Sequence, residues 1–195
     1  MPHSLKITLP DGKDKEYPSG TTLAAVFSEF DKGLLKSIIA AQVNGSCVDL
    51  SFPLNKDSVI KPITIDSKEG LEIYRHSTSH VMAHAVKELF NDVKVTIGPA
   101  IEDGFYYDFD SPVPFTPEDL KKIEKRMLEI VKKNTPFERS DVDKKEALKL
   151  FNEIGEVYKQ ELINEIPEDK VSVYREDGFV DLCRGPHLPS TGWIK

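Results

Sequence analysis

The most constraining feature of the sequence is the succession of short segments in its first 65 residues. Apolar and polar residues alternate at positions 4–9, and the chain then turns at Pro10-Asp11-Gly12. Alternation of this kind is typical of a half-buried strand, and proline followed by glycine marks a turn. We therefore expect a second strand to return from the turn as far as Tyr17.

A helix and a hairpin follow in the same short stretch. The apolar residues of 22–30 are spaced like the stripe of an amphipathic helix. Asn44-Gly45 is a strong signal for a two-residue turn between paired strands, and a last strand is predicted at 59–65. This order of elements predicts a small sheet wrapped around one helix.

The pattern changes after residues 66–70, which are polar and end in glycine. We predict a first domain over 1–65, a linker over 66–70 and a second domain over 71–195. The longer segments of the second domain predict a mixed α+β fold. Helices are predicted at 71–90, 117–133, 144–155 and 157–166, and strands at 93–100, 104–110, 171–174 and 179–182.

Composition excludes several classes of protein. The chain has 195 residues, two cysteines and a net charge of −7. Two cysteines do not build a disulfide scaffold, which favours a reducing compartment. The opening residues lack the apolar segment of a signal peptide, and no run approaches the roughly 18 apolar residues of a membrane span. We therefore predict a cytoplasmic protein with no membrane partner, and the acidic balance argues against an indiscriminate coat for nucleic acid.

Histidine has the most informative spacing. His76 and His80 lie at i and i+4 on the predicted 71–90 helix, which places their Cβ atoms about 5–6 Å apart. Both rings can therefore reach one metal ion, or flank one substrate as a base and a donor. His84 continues the same face one turn on, so it belongs either to an outer layer of that site or to the core.

A second pair of candidate ligands lies near the end of the chain. Cys183 and His187 are separated by an insert that contains Gly185-Pro186, which indicates a bent loop. Two histidines, a cysteine and a third histidine form a sensible zinc set. In the competing interpretation, Cys183 is a small buried residue and His187 lies on a surface loop. About 100 residues separate the two pairs, and the spacing does not show that they meet.

Other candidates have an ordinary explanation beside the functional one. The ordinary interpretation of Lys159 is a solvated surface lysine, and that of Tyr107 is a core residue. Asp181 either orients a histidine or is an acid at a strand edge. Cys47 is treated as core. The predicted 117–133 helix has a basic face that suits phosphate but is more typical of a solvated surface. That face consists of Lys121, Lys122, Lys125, Arg126, Lys132 and Lys133.

Three motifs in order carry a resemblance to a known family. They are Arg75-His76-Ser77-x-x-His80-x-x-x-His84-Ala85, Ile97-Gly98-Pro99-Ala100-Ile101-x-x-Gly104-Phe105-Tyr106-Tyr107-Asp108 and Asp181-x-Cys183-Arg184-Gly185-Pro186-His187. Together they resemble the amino-terminal editing domain of bacterial threonyl-tRNA synthetases. The segments at 7–12 and 43–45 resemble the TGS domain that precedes it, which has a β-grasp, ubiquitin-like fold. The resemblance covers essentially the whole chain, and it implies an editing domain with a mainly antiparallel sheet and a central helix that bears the histidines.

The resemblance implies hydrolysis of mischarged seryl-tRNA(Thr). Serine lacks one methyl group of threonine, and a missing methylene is worth only about 1–3 kcal/mol in a binding pocket, so a second sieve is needed. The pocket would be lined by His76, His80, Cys183 and His187. Lys159, with His76, would hold or activate the attacking water. Asp181 would meet the substrate amine, and Tyr107 would line the terminal adenosine site.

The family also implies partners and a choice of cofactor. Related alanyl-tRNA editing domains bind zinc with the same four residues, whereas the threonyl branch is pictured as metal-free, which we favour here. The expected partners are the acceptor end of tRNA(Thr) and the remaining domains of the synthetase. Family members continue into a class II core that uses ATP, so we expect no aminoacylation by these 195 residues.

A function from another class stays open. The alternative is a non-catalytic, zinc-stabilised module that binds tRNA or protein. A deacylation assay and a zinc analysis distinguish the two. In either case His3 and Cys47 are expected to be bystanders in the leading domain.

Overall fold

The computed structural model describes residues 4–195, which divide into two compact units. One unit extends to Tyr74 and includes Gly185–Pro189, and the other comprises Arg75–Arg184 with Ser190–Lys195. His3 lies outside the described residues. The domain limits predicted from the sequence, 1–65 and 71–195, remain predictions. Each compact unit is described below by itself.

The first unit is one mixed sheet with a helix against it. Its strands stand in the order β2-β1-β5-β3-β4, where β1 and β5 are parallel and the other neighbours are antiparallel. The predicted succession of strand, strand, helix, hairpin and strand is confirmed. The elements are β1 (Ser4–Thr8), β2 (Asp14–Pro18), α1 (Leu23–Phe30), β3 (Ile38–Val43), β4 (Ser46–Asp49) and β5 (Ser58–Thr64).

Local chemistry explains the helix and the hairpin of this unit. The side chain of Thr22 caps α1 by accepting a hydrogen bond from the backbone of Ala25. The stripe of α1 enters the core, where Leu23 and Phe27 have no exposed surface. Asn44 and Gly45 both adopt positive φ, at 50° and 87°. Two such residues fit the turn that matches the twist of a β-hairpin.

The second unit combines long helices with a three-stranded antiparallel sheet, in the order β10-β11-β12. Two ribbons of two strands each, β6-β9 and β7-β8, complete it. This confirms the α+β class and the antiparallel sheet. The helices are α2 (Lys68–Leu89), α3 (Pro117–Lys133), α4 (Lys144–Glu153) and α5 (Val157–Glu165), and the strands are β6 (Lys94–Val95), β7 (Ala100–Ile101), β8 (Gly104–Phe105), β9 (Phe109–Asp110), β10 (Glu138–Asp143), β11 (Lys170–Glu176) and β12 (Phe179–Leu182).

The strands of this unit differ from the prediction in two places. The stretches 93–100 and 104–110 form four two-residue strands instead of two long ones. Pro99 lacks the N–H that a continuous ladder needs, and its carbonyl accepts a bond from Tyr106 instead. The strand β10 was not predicted, because its residues are mostly polar and exposed. It is held by its pairing with β11.

The helices also differ at their ends and on one face. Because α2 begins at Lys68, three residues of the predicted linker are helical. Thr116 and Asp119 form a reciprocal capping box at the start of α3. The spacing of Leu120 places it with the apolar residues of α3, but it is 58% exposed. At the start of α4, the side chain of Asp143 makes no cap hydrogen bond.

A buried cluster fixes α4 and α5 against the three-stranded sheet. Phe151 of α4 and Ile163 of α5 are fully buried there, together with Val173 of β11. Burying a large apolar side chain stabilises a fold by about 1.5–3 kcal/mol. This cluster therefore sets where α5 lies beside the β11–β12 hairpin, which carries Asp181 and leads to Cys183.

No helix within residues 4–195 combines the length and the apolar character that a membrane crossing requires.

Candidate functional site

The two predicted histidines lie side by side on α2. The ring centroids of His76 and His80 are 4.8 Å apart, with an interplanar angle of 74°. His76 is half-buried, whereas His80 is only 5% exposed. The i and i+4 spacing therefore produces the adjacent pair that the sequence predicts, with one ring at the surface and one inside.

Cys183 meets the outer histidine. Its Sγ atom lies 3.0 Å from the Nε2 atom of His76. Cys183 directly follows β12, and its backbone is held by Ser172 of β11, whose hydroxyl donates to the carbonyl of Cys183 over 2.5 Å. Cys183, a member of the second predicted pair, therefore lies beside the first pair, His76 and His80. The contact arises because α2 packs beside the end of the β11–β12 hairpin.

A buried polar triad adjoins these residues. The Nζ atom of Lys159, on α5, lies 2.6 Å from the Oδ1 atom of Asp181, on β12. The hydroxyl of Tyr107 donates to Oδ2 of the same carboxylate over 2.7 Å and accepts a bond from Lys159 over 3.1 Å. The Nδ1 atom of His80 lies 3.6 Å from that oxygen. Three elements therefore converge on one carboxylate.

Burial decides the protonation of two of these groups. Desolvation, with the charges of His76 and Lys159, holds the pKa of His80 well below its ordinary value of 6.5. Desolvation and the charge of Asp181 raise the pKa of the Tyr107 hydroxyl well above 10. His80 is therefore neutral at pH 7, and Tyr107 keeps its proton.

Three predictions made from the residues alone are wrong. The interpretation of Lys159 as a solvated lysine is wrong: it is 2% exposed, because Asp181 compensates its charge and Tyr107 accepts its hydrogen bond. Asp181 lies on β12, an edge strand, but it is 1% exposed and paired with Lys159, so the interpretation of it as an ordinary acid at a strand edge is wrong. Cys47 was placed in the core, but it is exposed on β4, an edge strand of the first unit.

His187 and His84 are both buried. His187 belongs to the first unit, where it is buried and its backbone N–H donates to Asp49 over 2.9 Å. Its place beside the other ligands stays a prediction. His84 is buried one turn beyond His80, where it pairs with Glu176 over 3.1 Å and stacks on Phe179. These contacts agree with the prediction that His84 is a core residue.

Comparison with known proteins decides the relationship. A model of the TGS domain matches residues 5–64, and a model described as the threonyl and alanyl tRNA synthetase second additional domain matches 171–195. Threonine–tRNA ligase of Desulforamulus reducens is 50% identical over 98% of the chain, that of Pelobacter propionicus 53% over 98%, and that of Symbiobacterium thermophilum 49% over 100%. This chain is homologous to the amino-terminal region of threonine–tRNA ligases. It spans about 30% of the length of each of these ligases.

The match to the second additional domain covers part of the polar site described above. That domain is associated with editing in these synthetases, and its match includes Asp181 and Cys183. The TGS match coincides with the first sheet. The family resemblance of the whole chain is therefore confirmed, and the activity of the site is taken up below.

Three side chains of the polar site have the chemistry of a metal ligand set. The ligand atoms of His76, His80 and Cys183 lie within 4.8 Å of one another. Tetrahedral zinc with bonds of about 2.0–2.3 Å separates its ligand atoms by about 3.3–3.8 Å. The donors of these three residues fit zinc after a small adjustment.

Several supporting residues were missed. The hydroxyl of Ser79 donates to the carbonyl of Gly98 over 2.9 Å, and Arg75 donates to the carbonyls of Ile101 and Glu102. These bonds tie α2 to the β7–β8 ribbon that leads to Tyr107. Ser79 and Arg75 lie inside the first motif, so their position beside the histidines was the available signal.

Two buried ion pairs were also missed. Glu156 lies 2.6 Å from Lys87, and Glu176 pairs with His84 as described. Both glutamates are 3% exposed or less. No local pattern marks a buried glutamate in a sequence, because burial depends on a partner supplied by another element.

The basic face of α3 is partly neutralised by carboxylates. Lys122 pairs with Asp119, and Lys133 pairs with Asp177. Arg126 forms a bidentate pair with Glu88, which raises the pKa of the guanidinium. Half of the six basic residues are thus matched by carboxylates, which favours the solvated interpretation over a phosphate site.

A cavity of about 550 Å³ opens beside Cys183. Its lining carries two basic residues, Lys170 and Arg184, and two acidic ones, Glu165 and Glu168, so the cavity is polar without an excess of either charge. It borders the cluster through Cys183 and contains neither His80 nor Lys159. The site therefore has an inner polar triad and an open outer side.

Proposed function

We propose that this chain hydrolyses the ester of mischarged seryl-tRNA(Thr), as the editing region of a threonine–tRNA ligase in the cytoplasm. The observation that carries the proposal is the buried contact of Lys159 with Asp181 and Tyr107, next to His76, His80 and Cys183. Burying the ammonium group of Lys159, which is 2% exposed, costs desolvation free energy unless an opposite charge lies beside it. Asp181 is that opposite charge, and Lys159 still has an N–H donor for a substrate or a water molecule.

Lys159 is suited to hold the attacking water. An ammonium group has three N–H donors, and one of them bonds the hydroxyl of Tyr107. The charge of the group is compensated by Asp181, whose Oδ1 atom lies 2.6 Å away. A remaining donor can hold a water molecule or the substrate carbonyl oxygen. As charge develops on that oxygen, a fixed cation in a site from which water is largely excluded stabilises it more strongly than solvent does.

His76 is suited to act as the base. It is half-buried and therefore within reach of a substrate, and its Nε2 atom lies against Cys183. In the proposed reaction His76 accepts a proton as the water oxygen bonds to the ester carbonyl carbon. The bond from that carbon to the ribose oxygen then breaks, and the proton passes to the ribose oxygen. The products are serine and tRNA.

Asp181 and Tyr107 provide binding in this proposal. Asp181 supplies the negative charge that meets the substrate amine, and Tyr107 holds that carboxylate through its hydroxyl. The buried position of Tyr107 supports this holding role more than contact with the terminal adenosine. The cavity beside Cys183 has the volume for the terminal nucleotide, and we place that nucleotide there with Arg184 as its charged contact.

Metal-free hydrolysis is favoured by one electrostatic observation. The charge of Lys159 already acts on His80, where it helps to lower the pKa of the ring. A second cation beside this fixed ammonium is disfavoured. If zinc were bound by His76, His80 and Cys183, it would lower the pKa of a bound water and polarise the ester carbonyl. His187 would be the fourth member of the predicted set.

The acidic chain is suited to a local role on tRNA. A net charge of −7 provides no long-range attraction to a polyanion. We propose that the other domains of the ligase hold the tRNA and that this region contacts its acceptor end.

A deacylation assay tests the proposal. The purified chain is incubated with seryl-tRNA(Thr) and threonyl-tRNA(Thr), with and without a chelator. We expect hydrolysis of the seryl ester in preference to the threonyl ester, unchanged by the chelator and lost in His76→Ala. The unfolding midpoint of His76→Ala is the control for folding.

The opposite result identifies the alternative function. If the folded chain leaves seryl-tRNA intact and metal analysis finds one tightly bound zinc ion per chain, the protein is a zinc-stabilised binding module. Hydrolysis that stops with the chelator and returns with added zinc would keep the enzyme and reject the metal-free mechanism.

A further inference from the structure

A second ion pair joins α2 to the residue that precedes α5. Glu156 is 2% exposed, and its Oε1 atom lies 2.6 Å from the Nζ atom of Lys87. Its Oε2 atom accepts a hydrogen bond from the backbone N–H of Val95 over 3.0 Å. One carboxylate therefore connects α2, β6 and the start of α5.

Lys87 shares a helix face with the histidines. It follows His76 by eleven residues and His80 by seven, which are close to whole numbers of turns at 3.6 residues per turn. Its Nζ atom also donates to the carbonyl of Val93 over 2.8 Å, so the ammonium group is fixed. The helix that supplies the reacting histidines thus also supplies the cation that holds Glu156.

Glu156 immediately precedes the helix that carries Lys159. Its carbonyl accepts a bond from the backbone of Gln160, and its own N–H donates to Phe151. The first turn of α5 is therefore anchored at this residue. A shift of the anchor moves Lys159 relative to Asp181, which β12 holds independently.

We propose that Glu156 is a positioning residue for ester hydrolysis, because its ion pair with Lys87 sets the place of the Lys159 ammonium relative to the histidines of α2. This inference rests on the proposed function. A displacement of about 1 Å in a reacting group can cost on the order of a hundredfold in rate. A carboxylate fixed on both oxygens, three residues before Lys159, limits such a displacement.

The other interpretation is that the pair serves stability alone. Buried ion pairs stabilise little relative to apolar replacements, so stability is a weak reason for burying the carboxylate of Glu156 against the partly buried Lys87. The two interpretations differ in what a conservative change does. A purely structural pair affects the free energy of unfolding, while a positioning pair also changes the environment of Lys159 and the turnover of the folded protein.

The experiment compares Glu156→Gln with Glu161→Gln in the whole chain. Glutamine keeps the shape of the side chain and an acceptor for Val95 but removes the negative charge that Lys87 contacts. Glu161 is exposed on the same helix and serves as the matched control. The measurements are kcat and KM for seryl-tRNA hydrolysis, and the NMR signals of the Lys159 side chain, at a temperature where every variant is folded.

We expect Glu156→Gln to lower kcat by on the order of tenfold to a hundredfold with little change in KM, and to shift the Lys159 signals. Glu161→Gln should change neither. If Glu156→Gln fails to fold, Lys87→Met/Glu156→Gln removes both charges and is measured in its place. Unchanged Lys159 signals, or an unchanged kcat, overturn the positioning role. If the unaltered chain hydrolyses nothing, the proposed function fails, and the NMR comparison still decides whether Glu156 positions Lys159.

Discussion

Lys159 and Asp181 form an ion pair of 2.6 Å in which each side chain is exposed by no more than 3%. The two residues come from a helix and a strand that are not adjacent in the sequence. Removing one member of such a pair leaves the other charge buried and uncompensated. This relationship leads to the first prediction.

Lys159→Met should destabilise the protein by on the order of 3–5 kcal/mol, because Asp181 would remain buried without its partner. Lys159→Met/Asp181→Asn should recover much of that loss. The free energy of unfolding is measured by chemical denaturation. Lys149→Met is the control, since Lys149 makes an exposed contact of 3.9 Å with Glu153 that is worth about 0–1 kcal/mol. Equal losses in the two single variants would contradict the prediction.

Gly98→Ala should weaken both stability and hydrolysis. A Cβ atom at Gly98 would overlap the ring of Tyr107, whose hydroxyl holds Asp181. Overpacking of this kind costs about 1–3 kcal/mol, and displacement of the ring disturbs the carboxylate. Gly104→Ala is the matched control, because no atom lies within 4 Å of its Cβ position. Unfolding and deacylation are measured for both, and similar behaviour of the two variants would refute the effect.

The buried His80 should make the protein less stable in mild acid. Its pKa in the folded chain lies well below 6.5, so the unfolded chain binds a proton more readily. The stability from a neutral His80 is complete above about pH 6.5 and falls as the pH drops further, by at most about 1.4 kcal/mol per pH unit for one proton. Unfolding is measured from about pH 7 to pH 5 with a chelator present. His80→Gln should lose this slope, and parallel profiles would count against it.

The capping box of α3 should contribute measurably to stability. The hydroxyl of Thr116 accepts a bond from the backbone of Asp119, whose carboxylate accepts one from the backbone of Thr116. Thr116→Ala should cost about 1 kcal/mol, whereas Thr116→Ser retains the oxygen and should cost little. Thermal unfolding compares the two variants. A serine variant as weak as the alanine variant would show that the cap bond is not the cause.

Local patterns predicted the parts of the fold that local chemistry determines. The α1 stripe, the Asn44-Gly45 hairpin and the Thr116 cap each depend on residues within a few positions of one another. The i and i+4 histidines belong to the same class, because one helix brings them together. Such features are readable because the backbone geometry that joins their residues is regular.

The missed features depend on distant partners. The burial of Lys159 requires Asp181, which lies 22 positions further along the chain on another element. The β10 strand reads as polar because it is held by backbone pairing with β11 and not by an apolar pattern. The family resemblance, carried by whole motifs, was what pointed to Lys159 despite its ordinary surroundings in the sequence.

The arrangement on α2 has a consequence for how this region can change in length. One inserted residue between His80 and Lys87 would rotate the two ends of the helix by about 100° relative to each other. The histidines and the anchor of α5 would then point in different directions. In the turn at Asp177-Gly178, between β11 and β12, an inserted residue does not rotate one set of side chains about a helix axis relative to another. Insertions and deletions should therefore be tolerated in that turn and excluded from the helical segment 76–87.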